Sequence, residues 1–231
     1  MGDRVNRHVV RWVPAIVALL AALGLFALGS GQSGFTELQQ ASTAMGDTVP
    51  AKAVMVTTPV DEVRRGDIVV FKGTAWHRDD AMFVMRVVAL GGDTVSCCDG
   101  DSRLSVNGRV IVEDYVRDGD IGNGDPYDVT VPNGHMFVLG DSRANSYGSR
   151  REELGPVPLT DVVSRVVGVK TATGVEPIAV ATAFRDRGFE VSEPAGFGRP
   201  FPVAPAVLLG VAVVWLAGSF LGRRTGPRRR G

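Results

Sequence analysis

The sequence is poor in the side chains that usually hold metal ions or build disulfide frameworks. Its 231 residues include 2 cysteines and 3 histidines, and the cysteines, Cys97 and Cys98, are adjacent. Two neighbouring thiols without a nearby histidine do not suit a structural zinc site, so we expect no metal and no other cofactor. A disulfide between adjacent cysteines is strained, although an exterior compartment permits it. A vicinal disulfide and two free thiols are therefore both open.

Charge is missing from two long stretches of the chain. No charged residue occurs between Arg11 and Glu37 or between Arg199 and Arg223. The apolar part of each stretch is close to the roughly 20 residues that a helix needs to cross a bilayer. We therefore predict two transmembrane helices, residues 12–30 and 201–222.

Arginines lie on the outer flank of each predicted span. They occur in residues 1–11 and again, without any acid, in residues 223–231. Lys and Arg favour the cytoplasmic flank of a span, so both ends are predicted to be cytoplasmic in a plasma-membrane protein, with residues 31–200 outside. Membrane lipid is then a partner and nucleic acid is not. A cleavable signal peptide for the first stretch and a buried core helix for the second are the alternatives.

Short apolar runs broken by turn residues fill residues 31–200. Ile68–Phe71 and Val162–Val169 are rich in β-branched residues, and Asn107-Gly108 is a strong signal for a two-residue hairpin. No long amphipathic helix is visible. This spacing predicts a mainly β exterior domain built on an antiparallel sheet or barrel.

Two polar segments of this domain are predicted to be irregular. Residues 31–50 are small and polar, as expected of a linker that leaves the bilayer. Residues 115–128 are rich in aspartate and glycine and predict an exposed loop. A calcium site is the alternative for this second segment, but its spacing fits no calcium-loop template.

Three further segments occur in a characteristic order, and we refer to them as the first, second and third box. The first box, residues 44–55, reads AMGDTVPAKAVM; the second, residues 85–93, reads MRVVALGGD; the third, residues 140–150, reads GDSRANSYGSR. Together with the run RGDIVVF at residues 65–71, they resemble the boxes of bacterial type I signal peptidases. The resemblance covers roughly residues 40–170.

The resemblance implies a signal-peptidase-like β domain and a set of site residues. Ser42 would take the place of the hydroxyl that helps to bind the oxyanion. Asp141 would pair with Arg86, and Ser146 would face the amine of the general base. Gly148 stands where the family has an aspartate. The remaining matched positions that would support the site are Met45, Arg143 and Arg150.

The two positions that carry the family's chemistry differ in this chain. The family uses a Ser–Lys pair, whereas Ala44 stands at the nucleophile position and Met85 at the general-base position. Alanine has no side-chain oxygen and methionine has no basic atom, and losing either partner of a nucleophile–base unit costs about as much as losing both. We therefore expect an inactive member of the family.

Three functions are compatible with the sequence. The first is binding of signal peptides or exported precursors without cleavage, or regulation of an active signal peptidase paralogue. The second is an active signal peptidase with a displaced dyad, for which Ser42 and Thr43 offer hydroxyls. The third is a structural membrane protein with a closed groove. The chain's only lysines, none of which replaces Met85, are Lys52, Lys72 and Lys170.

Overall fold

A computed structural model describes residues 34–98, 103–116, 126–195 and 197. The predicted spans 12–30 and 201–222, the two arginine-bearing ends and most of the aspartate-rich loop lie outside the described residues. Among the residues that are described, no helix is both long enough and apolar enough to cross a bilayer.

The described residues form twelve strands, one short α-helix and four 3-10 helices of three residues each, Thr74–Trp76, Arg143–Asn145, Gly148–Arg150 and Leu159–Asp161. The longest strands, β4 and β11, are rich in valine, which suits the pleated and half-buried surface of a sheet. The elements are β1 (Thr36–Gln39), β2 (Val54–Thr58), β3 (Ile68–Gly73), β4 (Arg78–Leu90), β5 (Thr94–Cys97), β6 (Ser105–Val106), β7 (Arg109–Val110), β8 (Tyr127–Thr130), β9 (His135–Leu139), β10 (Val157–Pro158), β11 (Val162–Thr171), β12 (Gly174–Pro177) and α1 (Thr182–Arg185).

The strands form two antiparallel sheets. The larger sheet has the order β1-β2-β11-β3-β4-β9-β10, with β12 paired to β11, and the smaller has the order β7-β6-β5-β8. The predicted mainly β, antiparallel fold is confirmed. In the larger sheet, β4 lies between β3 and β9, which brings the second box next to the strand that ends at the third box.

The hairpin predicted at Asn107-Gly108 is confirmed as the connection between β6 and β7. Both turn residues have positive φ, 51° and 71°, as a two-residue turn between twisted strands requires. The side chain of Asn107 also accepts a hydrogen bond from the backbone N–H of Thr94 at 2.9 Å. Cys97, at the end of β5, is disulfide-bonded to Cys98, so the open question about the two thiols is resolved in favour of the vicinal disulfide.

The prediction that residues 31–50 form a linker is wrong from Thr36 onward. β1 pairs with β2 along its whole length, and Met45 and Val49 are completely buried. Both side chains pack with Met55 and its neighbours in one apolar cluster. Met45 and Val49 are spaced so that both reach the core, which the polar composition of the stretch does not reveal.

The aspartate-rich segment 115–128 is also not an exposed loop throughout. Val116 is buried, Tyr115 packs against the core and Tyr127 begins β8. The ring of Tyr127 stacks on that of Phe137 with centroids 5.7 Å apart. Aromatic burial at both ends of the segment outweighs the polar composition of its middle, which lies outside the described residues.

The chain after β12 packs back onto the domain. Phe184 in α1 is completely buried and Val191 nearly so, and both belong to the core cluster that contains Phe137 and Leu139. Ser192 donates a hydrogen bond to Asp67 at 3.0 Å. Residues 178–195, which we call the C-terminal segment, are therefore part of the domain rather than a tether.

Candidate functional site

The first box forms a tight turn that its own apolar residues anchor in the core. Met45 is completely buried and Ala44 is 7% exposed. The backbone N–H of Ala44 approaches the Oγ of the exposed Ser42 at 3.4 Å. The carbonyl oxygen of Ala44 accepts a hydrogen bond from the N–H of Ser142 at 2.9 Å. This last bond fixes the first box to the third.

The first six residues of the second box lie in β4, where successive side chains point to opposite faces of the sheet. Met85 is 5% exposed and belongs to an apolar cluster with Val69, Phe71 and Val138. The next residue, Arg86, lies on the opposite face. The general-base position therefore lies in an apolar environment, where burial would favour the neutral form of an amine.

Arg86 is held by a buried carboxylate from the third box. Its Nε donates to Asp141 Oδ1 at 2.8 Å and its Nη1 to the carbonyl oxygen of Gly66 at 2.9 Å. The hydroxyl of Thr48 donates to Asp141 Oδ2 at 2.7 Å. One carboxylate thus joins all three boxes, and the predicted pairing of Arg86 with Asp141 is confirmed.

The charges of Arg86 and Asp141 can be buried together because each neutralises the other. Burial by itself lowers the pKa of Arg86, but the adjacent Asp141 carboxylate outweighs it, so that the pKa is raised above its usual value. The ring of Tyr115 lies 3.9 Å from the guanidinium carbon of Arg86. Removing one partner would leave an uncompensated charge in the core, which is far costlier than losing an exposed pair.

A second buried ion pair involves a residue that the sequence analysis did not single out. Arg143 Nη1 donates to Glu113 Oε2 at 2.8 Å, and its Nε donates to the carbonyl oxygen of Gly140 at 3.0 Å. The hydroxyl of Tyr115 donates to the other oxygen of Glu113 at 2.7 Å. Burial, and then the charge of Glu113, raise the pKa of Tyr115 well above its usual range.

From the sequence, Glu113 could have been found only by asking which acidic residue balances the charge of a buried arginine. Arg143 is 4% exposed, and a buried guanidinium needs an acidic partner. The sequence nevertheless offers no way to choose among its many carboxylates, because Glu113 lies 30 residues before Arg143, just ahead of the predicted loop.

Ser146 lies close to the first box. Its hydroxyl donates to the carbonyl oxygen of Ser142 at 2.9 Å. A Cβ at Gly140 would overlap both with the Oγ of Ser146 and with the carbonyl oxygen of Ala44. In the antiparallel pairing of β4 with β9, Leu139 lies opposite Arg86. Gly140, the residue after Leu139, therefore lies level with Met85. The glycine allows the first and third boxes to approach each other next to the second.

Arg150 and Gly148 shape the remainder of the third box. Arg150 Nη2 donates to the carbonyl oxygens of Arg143 at 2.5 Å and Ser146 at 2.8 Å, so it fastens both ends of the short turn between them. Gly148 has φ +62°, and a Cβ added to it would lie 2.5 Å from the carbonyl oxygen of Val138. An aspartate, the family's residue at this position, would not fit this backbone without movement.

The comparisons with known proteins agree on one family. The model of the family described as signal peptidase, peptidase S26, matches residues 9–170, more than two thirds of the chain. The chain is also 32% identical over 161 residues to signal peptidase I S of Bacillus subtilis, across 63% of this chain and 80% of the relative. The chain belongs to the signal peptidase family. The C-terminal segment lies beyond the matched residues.

Other relatives share a smaller part of their length with this signal peptidase family member. The probable thylakoidal processing peptidase 2 of Arabidopsis thaliana is 36% identical over 128 residues, which cover 53% of this chain. The chain spans 33% of that protein and 36% of the related thylakoidal processing peptidase 1. The crystal structure of a signal peptidase I from Enterococcus faecalis V583 is 27% identical, covers 47% of this chain and 99% of its own, and gives a TM-score of 0.39.

The structure brings most of the predicted support residues of this signal peptidase family member together. Arg86, Asp141 and Thr48 share one network, and Arg143, Ser146 and Arg150 share another within the third box. Met45 serves as the core anchor of the first box. Contact between the side chains of Ala44 and Met85, and an oxyanion role for Ser42, stay predictions.

No cation site accompanies these residues in the described part of the chain. Among those residues, no group of three or more histidine, cysteine, aspartate or glutamate side chains is placed to hold a metal ion. The carboxylates of the site, Asp141 and Glu113, are both engaged by arginines.

Proposed function

We propose that this protein is a membrane-bound signal peptidase family member that binds signal peptides of exported precursors without cleaving them. The observation that carries the proposal is the identity and setting of two buried positions. Ala44 supplies no nucleophilic oxygen, and Met85 fills an apolar pocket without supplying a base. A Ser–Lys mechanism needs both groups.

The surrounding framework supports binding rather than loss of the site. The first box is fixed to the third by the bond from Ser142 to Ala44, and the Arg86–Asp141 pair fixes the second. A chain that had lost the use of this site would have no need of a buried ion pair at its base, because apolar replacements are often as stable.

Unpaired strand edges offer a means of binding an extended peptide. β4 pairs with β9 only from Arg86 to Leu90, so within the described residues Arg78–Met85 has a ladder partner on the β3 side alone. β1 is the edge strand of the same sheet. Exposed edges take up extended peptides through backbone hydrogen bonds. Occupying such an edge would also let the protein compete with, and so regulate, an active paralogue for the same precursors.

No displaced dyad finds support among the described residues. Lys52 and Lys72 are exposed, and Lys170 pairs with Glu37 at 2.9 Å. A lysine acts as a base near neutral pH only when burial or neighbouring charge lowers its pKa from about 10.4. The hydroxyl of Ser42 therefore has no lysine of this kind to activate it.

The test compares cleavage and binding in the full chain reconstituted in lipid vesicles. A precursor with small residues at its cleavage site should remain intact, and its signal peptide carrying a photoreactive residue should crosslink to the protein. The same mature protein without its signal sequence is the control, and it should not compete. Cleavage by the natural chain that is abolished by Ser42→Ala or Thr43→Ala would instead establish a displaced nucleophile.

The double substitution Ala44→Ser with Met85→Lys extends this test to the chemistry. We expect weak cleavage by the double variant and none by either single variant. Because the pocket around position 85 is apolar, the new lysine should have a lowered pKa, and cleavage should rise with pH as it loses its proton. Asp47 stands where the family resemblance has proline and Gly148 where it has aspartate, which is why the rescue should be partial.

A further inference from the structure

A cavity of about 600 Å³ lies on the side of β4 that faces away from Met85. Its lining comes from Arg86, from parts of the first box and of the C-terminal segment, and from residues 114–115, 169–171 and 176–177; we call it the rear cavity. Its volume falls within the range of roughly 300–1,000 Å³ that is typical of ligand pockets. Because neighbouring side chains of a strand point to opposite faces, a cavity lined by Arg86 is separate from the pocket that holds Met85.

β11 and the C-terminal segment form an apolar wall of the rear cavity. Val169, Ile178 and Val180 line it. The first two pack against the core cluster that contains Met45, and Val180 packs against the cluster that contains Phe137. The core therefore holds this wall in place. Ile178 and Val180 also lie beyond the residues that the family model matches.

The polar floor of the rear cavity belongs to the network that joins the three boxes. Arg86 and Thr48 line it, and both donate hydrogen bonds to Asp141. Tyr115 lines it as well, with its ring 3.9 Å from the guanidinium carbon of Arg86. Since Asp141 already neutralises Arg86, the floor offers a ligand no uncompensated positive charge.

The rim of the rear cavity carries negative charge that is not compensated. Asp114 and Glu176 line the cavity and are exposed, and neither forms an ion pair with another described residue. Lys170 also lines it, but its Nζ lies 2.9 Å and 3.0 Å from the two carboxylate oxygens of Glu37. Negative charge beside an apolar wall favours a ligand that is both cationic and apolar.

We propose that the rear cavity binds a peptide segment in which a lysine or arginine is flanked by apolar residues. The apolar side chains pack against the wall, and the basic side chain lies near Asp114 and Glu176. Glu176 belongs to β12, which among the described residues has a ladder partner only on its β11 side. Its other edge can bond to the backbone of an extended segment, which favours a peptide over a small amine.

A segment bound in the rear cavity leaves the pocket around Met85 open. Both can therefore be occupied at once, and the proposal goes beyond signal-peptide binding and does not depend on it. Because Arg86 and Thr48 belong both to the floor and to the network of the boxes, a partner protein held here would contact the supports of the site without blocking it.

Titration of the full chain in phosphatidylcholine nanodiscs with three acetylated and amidated tetrapeptides tests the proposal. The sequence Leu-Lys-Leu-Val is compared with the two versions that carry Gln or Glu in place of Lys. Glu176→Gln and Asp114→Asn each remove one rim charge, and Ala179→Trp fills the cavity from an exposed lining position. Glu153→Gln, at an exposed carboxylate outside the lining, is the control.

We expect the lysine peptide to bind about fivefold more tightly than the glutamate peptide, and added salt should reduce this difference. E176Q and D114N should each weaken binding of the lysine peptide about two- to threefold and leave the glutamine peptide unaffected, whereas E153Q should change neither. A179W should abolish binding of the lysine and glutamine peptides.

Equal affinities for the three peptides, or no saturable binding of any of them, would overturn the proposal. The signal-peptide crosslink described above distinguishes the two sites, because it should persist in A179W. Its loss in that variant would place both ligands in one site and contradict a separate rear cavity. The tetrapeptide titrations retain their meaning even if the natural chain binds no signal peptide.

Discussion

The two faces of β4 carry different parts of the site. On one face, Arg86 retains its full set of partners, with Asp141 and the carbonyl oxygen of Gly66 within hydrogen-bonding distance. On the other face, Met85, the predicted general-base position, packs against apolar side chains. Adjacent residues thus combine the buried ion pair that the family resemblance predicts with a side chain that has no basic atom. Removing one partner of the pair would leave a buried charge unpaired, which constrains Arg86 and not Met85.

Breaking the framework should have the largest effect on stability. Arg86→Met leaves the buried carboxylate of Asp141 unpaired, and we expect a loss of about 3–5 kcal/mol in the free energy of unfolding, measured by urea denaturation. The double variant Arg86→Met/Asp141→Leu removes both charges and should recover part of this loss. Arg185→Met, which breaks an exposed pair with Glu193, is the control and should change little. An R86M chain as stable as the natural one would show that the pair is not structural.

The C-terminal segment sharpens the comparison, because it lies outside the region matched by the family yet contributes to the core. Phe184→Ala removes a completely buried ring and should cost about 3–5 kcal/mol in the same denaturation experiment. Met82→Ala, at a side chain that is 55% exposed, should have a much smaller effect. Equal losses in the two variants would mean that the segment merely covers the domain.

Two glycines with the same backbone conformation test how the third box is held. Gly148 has φ +62° and Gly155 has φ +63°, but a Cβ would meet the carbonyl oxygen of Val138 only at Gly148, and nothing within 4 Å at Gly155. Gly155→Ala should therefore cost about 1 kcal/mol from backbone strain alone. We expect Gly148→Ala to cost at least twice as much. Similar melting temperatures for the two variants would show that the β9 backbone yields to the added methyl group.

Acid should weaken the support that Asp93 gives at the end of the second box, by a smaller amount. Burial alone raises the pKa of Asp93, but hydrogen bonds from Arg65, Leu90 and Asn107 outweigh it and lower the pKa below its usual value. The carboxylate therefore stabilises the fold above the unfolded-state pKa of about 3.9, and this contribution is lost as pH falls through the lower folded-state pKa. Asp93→Asn should lower the melting temperature at neutral pH, and the difference should shrink as the pH falls through the lowered folded-state pKa of Asp93.

The exposed Asp80→Asn is the control for that measurement. It should follow the natural chain at every pH. A difference between D93N and the natural chain that stays constant down to pH 2 would mean that the ionised carboxylate of Asp93 does not contribute to stability.

Local sequence patterns were sufficient to predict strands of the sheet and the position of the hairpin. Runs of β-branched residues predicted β3 and β11, and Asn107-Gly108 predicted the turn between β6 and β7, because these signals depend on neighbouring residues alone. The pairing of Arg86 with Asp141 was also predicted, but from the resemblance to a family and not from spacing. Reasoning from local composition failed at Met45 and Tyr115, because the burial of these two side chains depends on residues far away in the chain.

The sequence by itself determined that the predicted nucleophile and general-base positions hold alanine and methionine, since Ala44 and Met85 are visible without coordinates. It also determined the apolar stretches and the strand-forming runs, because periodicity and composition are local properties. Only the tertiary structure decided that Glu113 neutralises Arg143, that the C-terminal segment completes the core, and that Phe35 meets Phe197. Each of these contacts joins residues far apart in sequence, and their geometry is fixed by how the sheets and loops pack around one another.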